Sequence, residues 1–227
     1  AVNGGFAEYV TLPERCLIKL PPNVDPECAS VLACPIGVAL QAVRDVAQVT
    51  SGETVLVTGA GGGLGVHALQ IASAAAGRTI AVTHSPEKLD QLEKYVSGDV
   101  VLSDELDFSE IVLALTEDQG VDVVIDTVGS ATFLSSMRSL AQYGRLITLG
   151  EIEGDQVRFN LAEVIFRDGR ILSSSGTSRS HIMEATRLVA GADVTPVISH
   201  RVPLADALEA YTMVRDGRSL GRVVLVP

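Results

Sequence analysis

The stretch TVLVTGAGGGLGVH, residues 54–67, runs from an apolar β-type segment into five glycines and out again as a helical pattern. Strand, glycine turn and helix in that order form a phosphate-holding device. The strand carries backbone to the turn, the missing Cβ atoms let that backbone approach a ligand, and the helix presents unpaired N–H groups at a positive dipole end. More than one glycine pattern fits. A strict G-x-G-x-x-G from Gly59 and Gly61 would place its third glycine at Leu64, so it fails. Gly59, Gly62 and Gly65 satisfy G-x-x-G-x-x-G, whereas Thr58, Gly59, Gly63 and Gly65 satisfy T-G-x-x-x-G-x-G.

Strand and helix patterns alternate from this point on. TVLVT, TIAVT, DVVLS, VDVVIDTVG, RLITLG and RILSSSG read as strands. Between them, GVHALQIASAAAG, SPEKLDQLEKYV, FSEIVLALTEDQG, ATFLSSMRSLAQYG and NLAEVIFRDG read as helices. Gly77 is a stop signal, and Ser85 with Pro86 makes an N-cap followed by a first-turn proline. Continuous Val/Ile/Leu strands separated by helices predict an α/β fold with a doubly wound parallel sheet of six strands, order 3-2-1-4-5-6. Residues 1–33 alternate and turn at prolines, which predicts a β-rich piece outside that sheet, and residues 196–227 read as strand, helix and closing strand. The predicted division is therefore 1–33, 34–195 and 196–227.

With 47% apolar residues the chain can bury a substantial core, and no apolar run reaches membrane-spanning length. A net charge of −11 argues against nucleic acid or an anionic membrane as partner. AVNGGFAEYV lacks the regions of a signal peptide, so a cytoplasmic location is expected. Cys16, Cys28 and Cys34, an odd set without C-x-x-C, are expected as free thiols.

The T-G-x-x-x-G-x-G pattern is the fingerprint of short-chain dehydrogenases, whose chemistry needs a Tyr four residues before a Lys that lowers its pKa. The fourth residues after Tyr9, Tyr95, Tyr143 and Tyr211 are Pro13, Asp99, Ile147 and Arg215, so that reading fails. The other frame has ordered company. GGFAEYVTLPERCLIKLPPNVDPECASVLACPIGVALQAV, SGETVLVTGAGGGLGVHALQIA, VDVVIDTVG, GRLITLG and DGRSLGRVVLVP together resemble the medium-chain dehydrogenases/reductases, across essentially the whole chain. That group includes zinc alcohol dehydrogenases, quinone reductases and enoyl- or acryloyl-CoA reductases. Its members open with a GroES-like catalytic domain carrying a first zinc-binding Cys and a Gly-His-Glu motif, neither of which precedes Cys34 here. The resemblance thus implies a dinucleotide-binding Rossmann domain flanked by remnants of the catalytic domain, in a truncation or gene fragment.

The resemblance also implies a cofactor site. Gly59, Gly62, Gly63, Leu64 and Gly65 would face the pyrophosphate. Thr83 stands at the end of the second strand, where an acid would hold the adenosine ribose and favour NAD. With His84, Ser85 and Lys88 following it, NADP(H) is expected over NAD(H). Thr127 and Val128 match positions beside the adenosine, Leu149, Gly150 and Glu151 positions at the nicotinamide carboxamide, and Arg222 a basic residue at the pyrophosphate. Cys34 falls where zinc-dependent members place a third ligand. With no counterpart for the other two it is expected as a single buried thiol, and zinc is not expected in this chain. Val38 replaces a nicotinamide-contacting Thr, and His67 is expected to pack or face solvent. No catalytic residue is identified.

The expected activity is hydride transfer with a small-molecule substrate: an activated alkene such as an enoyl- or acryloyl-CoA, a quinone, or a carbonyl. The alternatives are a fragment of a zinc-dependent alcohol dehydrogenase and a nucleotide-binding module without catalysis. Pairing of RILSSSG with its own copy predicts a homodimer or homotetramer.

Overall fold

The structure, a computed structural model, describes residues 4–103 and 107–227. Six strands build one parallel sheet: β1 (Thr54–Val57), β2 (Arg78–Thr83), β3 (Asp99–Leu102), β4 (Val121–Asp126), β5 (Leu140–Thr148) and β6 (Arg170–Ser173). Their order is β3-β2-β1-β4-β5-β6, as the alternating pattern predicts. The strands are apolar on both faces because helices cover both. Val55 and Val57 pack with Leu69, Ile36 and Val43 on one side. Leu56, one residue out of phase, packs with Phe108, Val112 and Met137 on the other. No helix among the described residues is long and apolar enough to cross a membrane.

Two further strands, β7 (Ile198–Pro203) and β8 (Arg222–Val226), form a separate parallel pair joined through the helix Ala207–Arg215. This matches the strand–helix–strand reading of the C-terminal segment. Residues 4–33 do not match theirs. They hold a short 3-10 turn at Glu14–Cys16 and one helical turn at Pro26–Ala29, and no strand. The expected β-rich remnant is thereby corrected at this end. A strand exists only against a partner that pairs its backbone groups, and here Phe6 and Tyr9 stand 81% and 89% exposed with none beside them.

One helix also stops short of its sequence pattern. ATFLSSMRSLAQYG is helical only over Phe133–Arg138, and β5 begins at Leu140. Val121 pairs Leu140 while Val123 pairs Arg145, so the residues between bulge out, with Tyr143 at φ 64° and its N–H on the Arg167 carbonyl. Arg145 anchors the bulge. Its buried guanidinium donates to both Glu53 carboxylate oxygens at 2.8 and 2.9 Å and to the Ala47 and Gln48 carbonyls. Those carbonyls end a continuous helical stretch, Leu32–Gly37, Val38–Leu40 and Gln41–Val46, in which π-type turns flank one α turn. Pro35 inside it cannot donate, so the Ile36 N–H reaches back five residues to the Val31 carbonyl.

Candidate functional site

The glycine turn sits at the carboxyl end of β1, in the middle of the sheet. Gly59 takes φ +57°, and a Cβ there would lie 2.7 Å from Thr127 Oγ1 and 2.8 Å from Val128 Cγ2. At Gly65, the first residue of the helix Gly65–Ala75, a Cβ would run into the Gly59 carbonyl. The turn is thus folded tightly onto its own backbone, with Gly62 N–H on Gly59 C=O at 2.8 Å and Ala60 N–H on Val82 C=O at 3.0 Å. Leu64 occupies the N-cap without a side-chain cap bond, so the positive end of the helix stays open.

At the end of β2 no acid side chain appears. Thr83 is buried and its Oγ1 accepts the Ser85 N–H at 3.2 Å. The expected N-cap role of Ser85 is not realised: Pro86–Lys88 begins without a side-chain cap bond, and the segment to Tyr95 is a mixture of 3-10 and α turns. His84 lies across from Gly217 of the C-terminal loop. Lys88 folds back until its stem touches the turn at Gly61. It is 93% buried, since only 7% of its surface is exposed. Burial pushes its ammonium below the usual lysine range, Glu87 acting the other way.

The neighbouring strand ends are held by Asp126, which the sequence pattern does not single out although an acid closing the apolar run VDVVID is its signal. Asp126 is fully buried and accepts from Thr58 Oγ1, Thr132 Oγ1, Ser136 Oγ and the Val128 and Gly129 N–H groups at 2.8–3.1 Å. Through Thr58, whose Oγ1 accepts the Thr127 N–H, it fixes Thr127 and Val128 against the glycine turn. The Leu149 and Gly150 N–H groups reach the Asp126 carbonyl. The Glu151 side chain is engaged within its own loop. Its carboxylate accepts from Ser130 N–H and Oγ and from the Glu153 and Gly154 N–H groups, and Ser130 holds it below the usual carboxylate range.

Arg222, the first residue of β8, closes the crevice. Its side chain crosses Gly63, where any Cβ would strike it, and its Nε is buried without a hydrogen-bond partner among the described residues. Its Nη2 lies 3.8 Å from Cys34 Sγ. Cys34 is exposed, correcting the expected buried thiol: Leu32 and Ile36 take the core-facing side of their helical stretch and leave Cys34 outward. It lines a cavity of about 330 Å³ with Ser30, Pro35, Arg222 and Val224. The turn, Thr127, Val128, Lys88 and Arg222 thus converge, with His84 and Leu149–Glu151 at the margins of the crevice.

Residues 63–191, more than half of the chain, match the family described as zinc-binding dehydrogenase. The chain belongs to the medium-chain dehydrogenases/reductases. Among its relatives, the acryloyl-coenzyme A reductase of Metallosphaera sedula is 36% identical over 99% of this chain, which spans 65% of that protein's length. A solved NAD-dependent alcohol dehydrogenase is 33% identical, with a TM-score of 0.92 over 99% of this chain and 65% of its own. The mycobacterial protein Rv1454c, solved in complex with NADPH, is 28% identical, with a TM-score of 0.88 over 100% of this chain and 74% of its own.

Two groups that this medium-chain dehydrogenase/reductase family implies are tested differently by the residues present. An orphaned buried guanidinium nitrogen over a cradle that any Cβ would fill fits the diphosphate of a dinucleotide. Zinc needs three protein ligands. Among the described residues no three His, Cys, Asp or Glu side chains converge, and Cys34 has a cation beside it, so these residues do not fit the metal.

Proposed function

We propose that this chain is the cofactor-binding portion of an NADP(H)-dependent oxidoreductase that reduces an activated alkene such as an enoyl- or acryloyl-CoA, a quinone, or a carbonyl. The observation that carries the cofactor preference is Lys88, a largely buried lysine without an ion pair among the described residues, packed against the glycine turn beside a β2 that ends in Thr83 instead of an acid. A buried cation calls for an anion, and the 2′-phosphate supplies one that NADH lacks. The NADPH complex of Rv1454c supports the cofactor reading, and the acryloyl-CoA reductase relative supports the alkene one. When bound, the cofactor supplies the hydride at its nicotinamide ring. This chain's residues hold the rest: Arg222 and the glycine turn the diphosphate, Thr127 and Val128 the adenosine, Lys88 the 2′-phosphate.

Calorimetric titration with NADPH and NADH tests the preference. NADPH should bind at least about tenfold tighter, and Lys88→Ala should cost NADPH on the order of 1 kcal/mol, one charge-assisted contact, while leaving NADH nearly unchanged. Equal affinities, or tighter NADH binding, overturn it.

A further inference from the structure

His67 is the one buried histidine on the glycine-turn helix among the described residues, and the reading above gives it nothing to do. Its Nδ1 lies 2.8 Å from the Gly63 carbonyl, and its Nε2 lies 3.0 Å from the Val197 N–H. A carbonyl only accepts and an amide N–H only donates. The ring therefore carries its proton on Nδ1 and is neutral. The two bonds belong to a closed circuit around the crevice. The Val197 carbonyl accepts the Arg222 N–H at 2.9 Å, and the Arg222 side chain returns over Gly63.

The Gly63 bond has a directional consequence. The Gly63 carbonyl and the Leu64 N–H share one planar trans peptide and point in opposite directions. Holding that carbonyl inward, under the helix, aims the Leu64 N–H outward at the mouth of the turn. Neither the Gly63 nor the Leu64 N–H has an acceptor among the described residues. The other end of the ring holds Val197, and through it the backbone of Arg222, whose buried Nε is likewise unpartnered.

We propose that His67 is a positioning residue for the cofactor diphosphate, its Nδ1–H fixing the Gly63–Leu64 peptide so that the Leu64 N–H faces the phosphate oxygens beneath Arg222. This rests on the dinucleotide reading above.

Two substitutions separate the halves of the ring. The Asn amide nitrogen can take the place of Nδ1 and keep the Gly63 bond, whereas the Gln side chain extends to the place of Nε2 and keeps the Val197 bond. Each loses one buried hydrogen bond, so a merely structural role would move both variants alike. The ligands are NADPH and adenosine 2′-phosphate, which carries the adenosine and 2′-phosphate but no diphosphate. His67→Gln should weaken NADPH about tenfold, the loss of one hydrogen bond to a charged group, and His67→Asn by less than about threefold. Adenosine 2′-phosphate should bind both variants as it binds the wild type. Equal NADPH losses in the two variants, no loss in either, or a parallel loss of adenosine 2′-phosphate overturns the positioning role. A wild-type chain that binds neither NADPH nor NADH overturns the dinucleotide reading itself, and the role of His67 with it.

Discussion

A buried imidazole and a buried ammonium both lose hydration, and the two residues of this crevice meet that cost in different ways. Lys88 lines a cavity with Glu87 beside it, which opposes the effect of burial on its ammonium, whereas His67 gives up its proton. Burial lowers the His67 pKa from 6.5 to about 4, Arg222 pushing the same way and the Gly63 carbonyl opposing. A depressed folded-state value has a defined effect on stability. Below pH 6.5 the unfolded chain takes up a proton that the folded chain refuses, so the contribution is complete above 6.5 and is lost as pH falls toward 4. From pH 7 to 5 the linkage amounts to about 2 kcal/mol at roughly 1.4 kcal/mol per pK unit. His67→Asn removes it. Urea denaturation at the two pH values should show the stability gap between wild type and His67→Asn shrinking by that amount. A gap that stays constant would mean that the imidazole is protonated in the fold or already neutral in the unfolded chain.

At the scale of elements, the turn between β1 and the helix Gly65–Ala75 depends on backbone contact more than on side chains. A Cβ on Gly65 would meet the Gly59 carbonyl and the Ala60 Cα, neither of which can move without opening the turn. A Cβ on Gly61 would press on the flexible stem of Lys88 at 2.6 Å and otherwise make only ordinary contact with Leu220 at 3.7 Å. Gly65→Ala should therefore cost about 2–4 kcal/mol of unfolding free energy, and Gly61→Ala less than about 1 kcal/mol. Chemical denaturation of the pair checks the contrast, and similar costs would show that the turn is softer than its packing indicates. Strands were legible wherever Val and Ile ran continuously, because burial on both faces removes any need for alternation. The glycine turn was legible for the same local reason: only glycine tolerates such close approach. Other features depend on distant partners. The helix Arg179–Ala190 carries no recognisable start because its capping box pairs Ser178 with His181 instead of an acid or amide. Asp126 looks like a strand terminus until five donors are folded around it. The bulge before Arg145 exists because Glu53, far away in sequence, accepts that guanidinium.

For the whole molecule, a charge of −11 disfavours close approach of two copies, yet one flank of the sheet invites it. Among the described residues no strand pairs the outer edge of β6, and Ile171 is 39% exposed there. Leu161, Ile165 and Phe166, which precede β6, are 65–80% exposed, so apolar surface lies beside unpaired backbone. A two-fold axis along this edge would pair β6 with its own copy and cover that surface, because an isologous interface needs only one self-complementary patch. The register of β6 says which substitution tests it. Leu172 packs inward against the core and Ile171 points outward, so Ile171→Lys places an ammonium at the axis without disturbing the core. Sedimentation over a range of concentrations should show a dimer for the wild type and a monomer for Ile171→Lys. A wild type that remains monomeric up to roughly 100 μM would put association weaker than about −5.5 kcal/mol and exclude this edge as an interface. A dimer that survives Ile171→Lys would move the interface to another apolar surface, of which the outer face of Ala207–Arg215, with Leu208, Tyr211 and Val214 exposed, is the next to substitute.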